Sequence, residues 1–189
     1  MVIHRFNLKP IVAASLAIVW FSILAAPVAA QNGGIETLFE RLKSADEVDA
    51  GRIEREIEMI WSQSGSAAMD LLLTRGRDAM EKQDFAVAIE HFTALTDHAP
   101  EFAEGWYGRA QAFAQIERIG LAIADLEHTL LLNPRHYDAI FGLGMIFEQL
   151  DQPEQAYDAY RLVLDLYPHH EGASERLSKI ERGVNGTEL

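Results

Sequence analysis

The sequence has no cysteine among its 189 residues, so side-chain chemistry would have to come from histidines, hydroxyls and carboxylates. Its seven histidines are His4, His91, His98, His128, His136, His169 and His170. A metal site needs imidazoles or carboxylates at spacings that converge on one ion. Only His169-His170-Glu171 sets three such groups together. That cluster begins a helical pattern and reads as a solvated helix start, so no metal is expected. The sequence has no Gly-rich phosphate loop, no HExxH pair and no GxSxG elbow. The 29 acids are too widely spread to mark a site. An enzyme should show a convergent set of groups. None is visible, and neither catalysis nor a cofactor is expected.

Composition narrows the partners. Half the residues are hydrophobic (49%) and 24% are charged, the balance of a globular protein. Residues 1–30 contain Arg5 and Lys9 and no acid, then an apolar run from Ile11 to Ala26, then Pro27-Val28-Ala29-Ala30. A positive start, an apolar core and small residues before Gln31 form a secretory signal peptide, with the cut expected after Ala30. Left uncleaved, the same segment would serve as an anchor, the one way this chain would meet a membrane. Beyond residue 30 the chain carries 14 basic side chains against 29 acids, a net charge of −15. Nucleic acid and anionic lipid both call for clustered Lys and Arg, so neither is an expected partner. Absence of cysteine suits an oxidising compartment. Export to the periplasm is the expected destination.

What could position a functional surface is a repeat. Pro100, Pro134 and Pro168 stand 34 residues apart and define units 69–102, 103–136 and 137–170. Corresponding places hold corresponding residues. Leu72, Trp106 and Ile140 are large; Gly76, Ala110 and Gly144 are small; Ala88, Ala122 and Ala156 are identical; Phe92, Leu126 and Tyr160 follow four residues later. Apolar positions recur at steps of three and four with one interruption per unit, which reads as two helices and a turn. The turns fall at Lys82-Gln83-Asp84, Glu117-Arg118-Ile119-Gly120 and Asp151-Gln152-Pro153. Small residues opposite the alanines are expected to let each helix pair approach closely.

The flanks are helical as well. Ile35, Leu38, Phe39 and Leu42 form one stripe, and Ile53, Ile57, Ile60 and Trp61 another. Ser44 to Glu47 has capping-box spacing. Residues 31–68 read as an N-terminal cap hairpin or degenerate repeat. Residues 171–184 read as a C-terminal cap helix with Ala173, Leu177, Ile180 and Val184 inward, and 185–189 as a frayed tail.

Period, small residue, alanine, aromatic and proline together resemble the tetratricopeptide repeat (TPR) over residues 69–170. Arg75 and Arg109 depart from it where leucine is usual, and Thr129 where alanine is. The resemblance implies an all-α, right-handed α-solenoid of stacked hairpins with a capping helix at each end. It further implies that the first helix of each hairpin lines a concave groove. The second, fifth and ninth places of the units would then face a partner: Asp70, Glu104 and Asp138; Leu73, Tyr107 and Phe141; Arg77, Gln111 and Met145. Gly108 and Gly142, at the sixth, would leave room for a partner's backbone or ring. Chaperone-binding members grip a C-terminal carboxylate with basic and amide side chains at such places. Leu73, Arg77, Gly108, Asp138 and Gly142 stand there instead, so that clamp is absent. An apolar floor bordered by acids suits a protein or peptide segment with apolar anchors and basic flanks. The expected role is a non-catalytic interaction module of the bacterial cell envelope. The alternative is a self-associating scaffold whose groove is covered by its own cap or by another copy.

Overall fold

The computed structural model describes residues 26–186. Contacts divide the chain into two units, Met1–Gly34 and Ile35–Leu189. Of the first, only residues 26–34 are described, at the start of helix α1 (Ala26–Ser44). The expected signal peptide, at 1–30, therefore lies mostly outside the described residues, as do residues 187–189. Among the described residues no helix is long and apolar enough to cross a membrane.

All regular structure among the described residues is helical. Three hairpins pair α3 (Ala67–Glu81) with α4 (Phe85–His98), α5 (Ala103–Gln115) with α6 (Ile119–Leu132), and α7 (Tyr137–Gln149) with α8 (Pro153–Leu166). The second helix of each also packs on the element that follows, ending with α9 (Glu171–Gly186). Each hairpin thus buries its outer face on its neighbour, as a solenoid requires. The core accordingly breaks into three clusters, one per hairpin.

The turns repeat as faithfully as the helices. Gln83, Glu117 and Asp151 each adopt a left-handed backbone, with φ of 59°, 58° and 57°. The next residue's N–H then reaches back five positions: Asp84 to Ala79, Arg118 to Phe113 and Gln152 to Phe147, each at 2.9 Å. This is the Schellman closure, which satisfies carbonyls at a helix end. In the second turn the left-handed residue is Glu117, while Gly120 already belongs to α6.

The small residues pack differently from expectation. Ala88, Ala122 and Ala156 are completely buried, and Ala110 is 1% exposed. Gly76 and Gly144, however, face rings rather than those alanines. A Cβ on Gly76 would lie 2.4 Å from the Phe92 ring, and one on Gly144 would lie 2.5 Å from Tyr160. Gly108 is also filled from within, its would-be Cβ 2.6 Å from the same Phe92 ring. The space at Gly108 therefore holds a ring of the protein itself, not of a partner. Gly142 is in ordinary contact range of Leu126. Ala122→Leu should overpack the second hairpin and lower stability by about 1–3 kcal/mol, measurable by urea denaturation.

The N-terminal helices do not extend the stack ahead of α3. Ala50, Ile53 and Ile57 of α2 (Glu47–Trp61), with Leu38, Phe39 and Leu42 of α1, join the third hairpin's cluster around Tyr137 and Ile140. Nor does Ser44 cap α2. Its hydroxyl bonds back to the Glu40 and Arg41 carbonyls, and Asp46 caps α2 by accepting from the Asp49 N–H at 2.9 Å. At the other end α9 runs to Gly186, with Ala173 buried and Leu177 and Ile180 partly so against that cluster.

Candidate functional site

Helices α3, α5 and α7 carry the nine residues expected to face a partner, and the fold uses them unequally. Asp70 is engaged at the start of α3, accepting the Ser64 N–H at 2.8 Å and the Ser64 hydroxyl at 2.6 Å. Those two bonds hold its carboxyl below the usual value. Leu73 is 2% exposed and belongs to the first hairpin's core, so it offers no surface to a partner. Phe141 is half-buried, 4.7 Å from the His170 ring and in the path of any Cβ at Gly172 (2.9 Å). It seats α9. Met145 is 39% exposed and stands apart.

The other five converge. Arg77, Glu104, Tyr107, Gln111 and Asp138 line one cleft of about 420 Å³ together with His136, and α2 closes it with Glu58 and Trp61, followed by Ser62. Another hollow, about 460 Å³ between α3 and α4, is lined by Arg75, Asp78, Lys82, Asp84 and His91 and gathers none of the expected residues.

At the cleft's centre Glu104, 5% exposed, accepts from Arg77 at 2.6 Å and from His136 at 3.0 Å. A buried charge is tolerated only with partners of this kind. His136 caps α7, its Nδ1 accepting the Ala139 N–H at 3.3 Å. Nε2 must then carry the hydrogen given to Glu104, which fixes the tautomer. Trp61 stacks on the imidazole at 4.5 Å, and Tyr107 lies 4.4 Å from it. Gln111 donates to the Tyr107 hydroxyl at 3.0 Å. Burial, then the charges of Asp138, Glu104 and Glu58, raise the Tyr107 phenol well above its ordinary value. Burial and the charges of Asp138, Glu54 and Glu104 likewise raise the Glu58 carboxyl, against the pull of Arg77. The cleft is acidic with an aromatic lining.

The same device recurs one repeat later. His170 caps α9 through Nδ1, accepting the Ala173 N–H at 3.1 Å, and turns Nε2 toward Asp138 at 3.9 Å, with Phe141 beside its ring. Histidine, acid and aromatic thus occupy equivalent places twice: His136, Glu104 and Tyr107, then His170, Asp138 and Phe141. The 34-residue interval between the two histidines was the signal for this, and a search for metal-ligand spacing passes over it. Of the pair expected at a solvated helix start, His169 stays exposed while bonding the Ala45 carbonyl at 3.0 Å, and His170 is largely buried. No group of three or more metal-ligating side chains among the described residues could hold an ion.

Sequence profiles of the tetratricopeptide repeat match residues 73–127 and 138–170. A TPR repeat-containing protein of Rhizobium etli is 28% identical over 153 residues, which is 80% of this chain and 75% of that protein. The small glutamine-rich tetratricopeptide repeat-containing protein 2 of Saccharomyces cerevisiae is 28% identical over 62% of this chain, and the chain spans 34% of it. Among solved structures, the second TPR domain of human RPAP3, in complex with an HSP70 peptide, superposes with a TM-score of 0.54 at 26% identity. That match covers 57% of this chain and 90% of the domain. With hairpins, period and turns all repeating at 34 residues, residues 73–127 and 138–170 of this chain are tetratricopeptide repeats.

Proposed function

We propose that this chain is a non-catalytic interaction module of the bacterial cell envelope. It holds a protein or peptide segment on the face formed by α3, α5 and α7. The observation that carries this reading is that the face already grips an amphipathic helix. α2 lies against its α7 end, with Ile53 and Ile57 buried in the cluster around Tyr137 and Ile140 and Trp61 stacked on His136. A surface that seats one such helix has the shape and chemistry to seat another. The RPAP3 domain, which shares the fold, is bound to a peptide.

The charge of the face sets the kind of segment. Among the described residues Asp138 has no Lys or Arg partner, its nearest basic group being the His170 ring at 3.9 Å, and Tyr107 and Gln111 reach the cleft beside it. Lysine or arginine flanks on an apolar anchor complement that lining, whereas an acidic C-terminal tail does not. Panning a random peptide library on the purified chain tests this. Enriched peptides should carry an aromatic or branched anchor with neighbouring basic residues. Asp138→Lys and Tyr107→Ala should each weaken them about tenfold or more, a loss of about 1.4 kcal/mol. Peptides with acidic tails, or peptides indifferent to both variants, would overturn the proposal. Envelope placement is tested separately, by fractionating cells that express the whole chain.

A further inference from the structure

We infer that the α1–α2 hairpin is a built-in ligand of this face, displaced by a basic amphipathic helix that puts an aromatic anchor where Trp61 now sits. The inference rests on the peptide-binding reading above and adds who occupies the face at rest and what replaces the occupant.

α2 presents Ile53, Ile57 and Trp61 at steps of four, the pattern of a helix laid in a groove. Ile53 is 2% exposed and Ile57 fully buried, while Trp61 lies 4.5 Å from His136 and 5.1 Å from Tyr137. The polar ties are few and lie mostly at the rim. Arg77 donates to the Ser62 hydroxyl at 2.9 Å, Tyr167 donates to Glu54 at 3.2 Å, and Arg135 grips Glu36 at 2.7 and 2.6 Å. His169 also bonds the Ala45 carbonyl at 3.0 Å, and apart from the two-pronged Arg135–Glu36 pair, single ties of this kind at the rim add little.

Two features of the seated hairpin are mismatched. Beneath it the Tyr137 hydroxyl is completely buried with no hydrogen-bond partner among the described residues, although that ring packs on Phe39, Trp61 and Tyr167. In addition, Glu54 and Glu58 of α2 come to a face whose own acids are Glu104 and Asp138. Arg77 and His136 already serve Glu104, which leaves Asp138 and the α2 acids as like charges across the cleft. Apolar contacts hold the hairpin and electrostatics oppose it. A helix with the same anchors and basic residues at the places of Glu54 and Glu58 turns the opposition into attraction. The connection that would let the hairpin leave is short and polar, Ser62-Gln63-Ser64-Gly65-Ser66, with Gly65 at φ 79°.

The test uses the full chain and two synthetic peptides of residues 47–62: the native sequence, and one carrying Glu54→Lys and Glu58→Lys. Binding is read by fluorescence anisotropy and hydrogen exchange. The lysine peptide should bind at least tenfold tighter than the native one. On binding, amides of residues 47–61 in the chain should lose protection. Ile57→Asp, which unseats α2, should tighten the lysine peptide further, because the competent state is no longer a minor fraction. Should Ile57→Asp fail to fold, Glu58→Arg in the chain gives the opposite reading: stronger α2 protection and weaker peptide binding.

Peptide binding with residues 47–61 still protected would make the hairpin a fixed cap, overturning this inference and leaving peptide binding intact. Equal affinity for both peptides would overturn the basic partner. Dimerisation of Ile57→Asp in sedimentation, in place of peptide binding, would show a second copy to be the occupant. Failure of the unseated chain to bind either peptide, after library panning has also returned nothing, would remove the peptide-binding reading itself.

Discussion

Phe92→Ala is expected to cost about 3–5 kcal/mol, the range for emptying the site of a buried aromatic. Its ring is completely buried and fills two vacancies together, one at Gly76 in its own hairpin and one at Gly108 in the next. No single shift of one helix can close both, so the cavity would persist and the cost should fall toward the upper end. Stability in a solenoid is a sum of repeat and interface terms, so the loss should be local at first. Hydrogen exchange should show residues 67–98 opening before residues 137–166. The reciprocal change makes the argument sharper. Gly108→Ala adds a Cβ 2.6 Å from the ring, and the overpacking should outweigh the ~1 kcal/mol that alanine gains over glycine within a helix. Combined with Phe92→Leu, the same alanine should cost less than the sum of the two single changes. Additive costs would mean that the ring and the glycine do not share one site.

That ring also shows where reading the sequence stops. The 34-residue period, the small residues and the identical alanines were legible because each is a local choice repeated at a fixed interval. The nearest neighbour of each glycine was not. A missing side chain says that something approaches, and only packing shows that Phe92 approaches both Gly76 and Gly108. The expected partner face divided for a similar reason. Arg77, Glu104, Tyr107, Gln111 and Asp138 meet in one cleft, since helix geometry alone sets their direction. Leu73 and Phe141 occupy the same repeat place as Tyr107 but are claimed by the first core and by α9. Return of α1 and α2 onto the third hairpin was out of reach. Glu36 meets Arg135 and Glu54 meets Tyr167 across separations of 99 and 113 residues, and no local pattern encodes such pairs.

Asp125→Ala is expected to cost about 3–5 kcal/mol, while removing its partner as well should cost little or nothing. Arg109 stands where leucine is usual in the family, and the sequence reads it as an isolated departure. In the structure it is one half of a two-pronged ion pair with Asp125, at 2.7 and 2.9 Å, with side-chain exposures of 15% and 8%. Its remaining nitrogen donates to Thr96 at 3.0 Å, and the guanidinium lies 4.8 Å from the Trp106 ring. Thr129, a further departure, donates to the Asp125 backbone carbonyl at 2.8 Å. Arg109 is thus matched by Asp125 within the second hairpin and reaches back to Thr96 of the first. Taking away Asp125 leaves a guanidinium in the interior with only threonine hydroxyls to satisfy it. Replacing both, as Arg109→Leu with Asp125→Leu, restores an apolar contact of the family's kind and removes two desolvated charges. Buried pairs exchanged for apolar groups are often neutral or gain about 1–4 kcal/mol. Urea denaturation of Asp125→Ala, together with the cycle of Arg109→Leu, Asp125→Leu and the double variant, measures both. A double variant as unstable as Asp125→Ala would show that the pair fixes the register of α5 against α6, because apolar side chains in its place would then fail to recover the fold. An Asp125→Ala cost below about 1 kcal/mol would instead place Arg109 in contact with water, with the stability of this junction resting on Phe92 and its glycines.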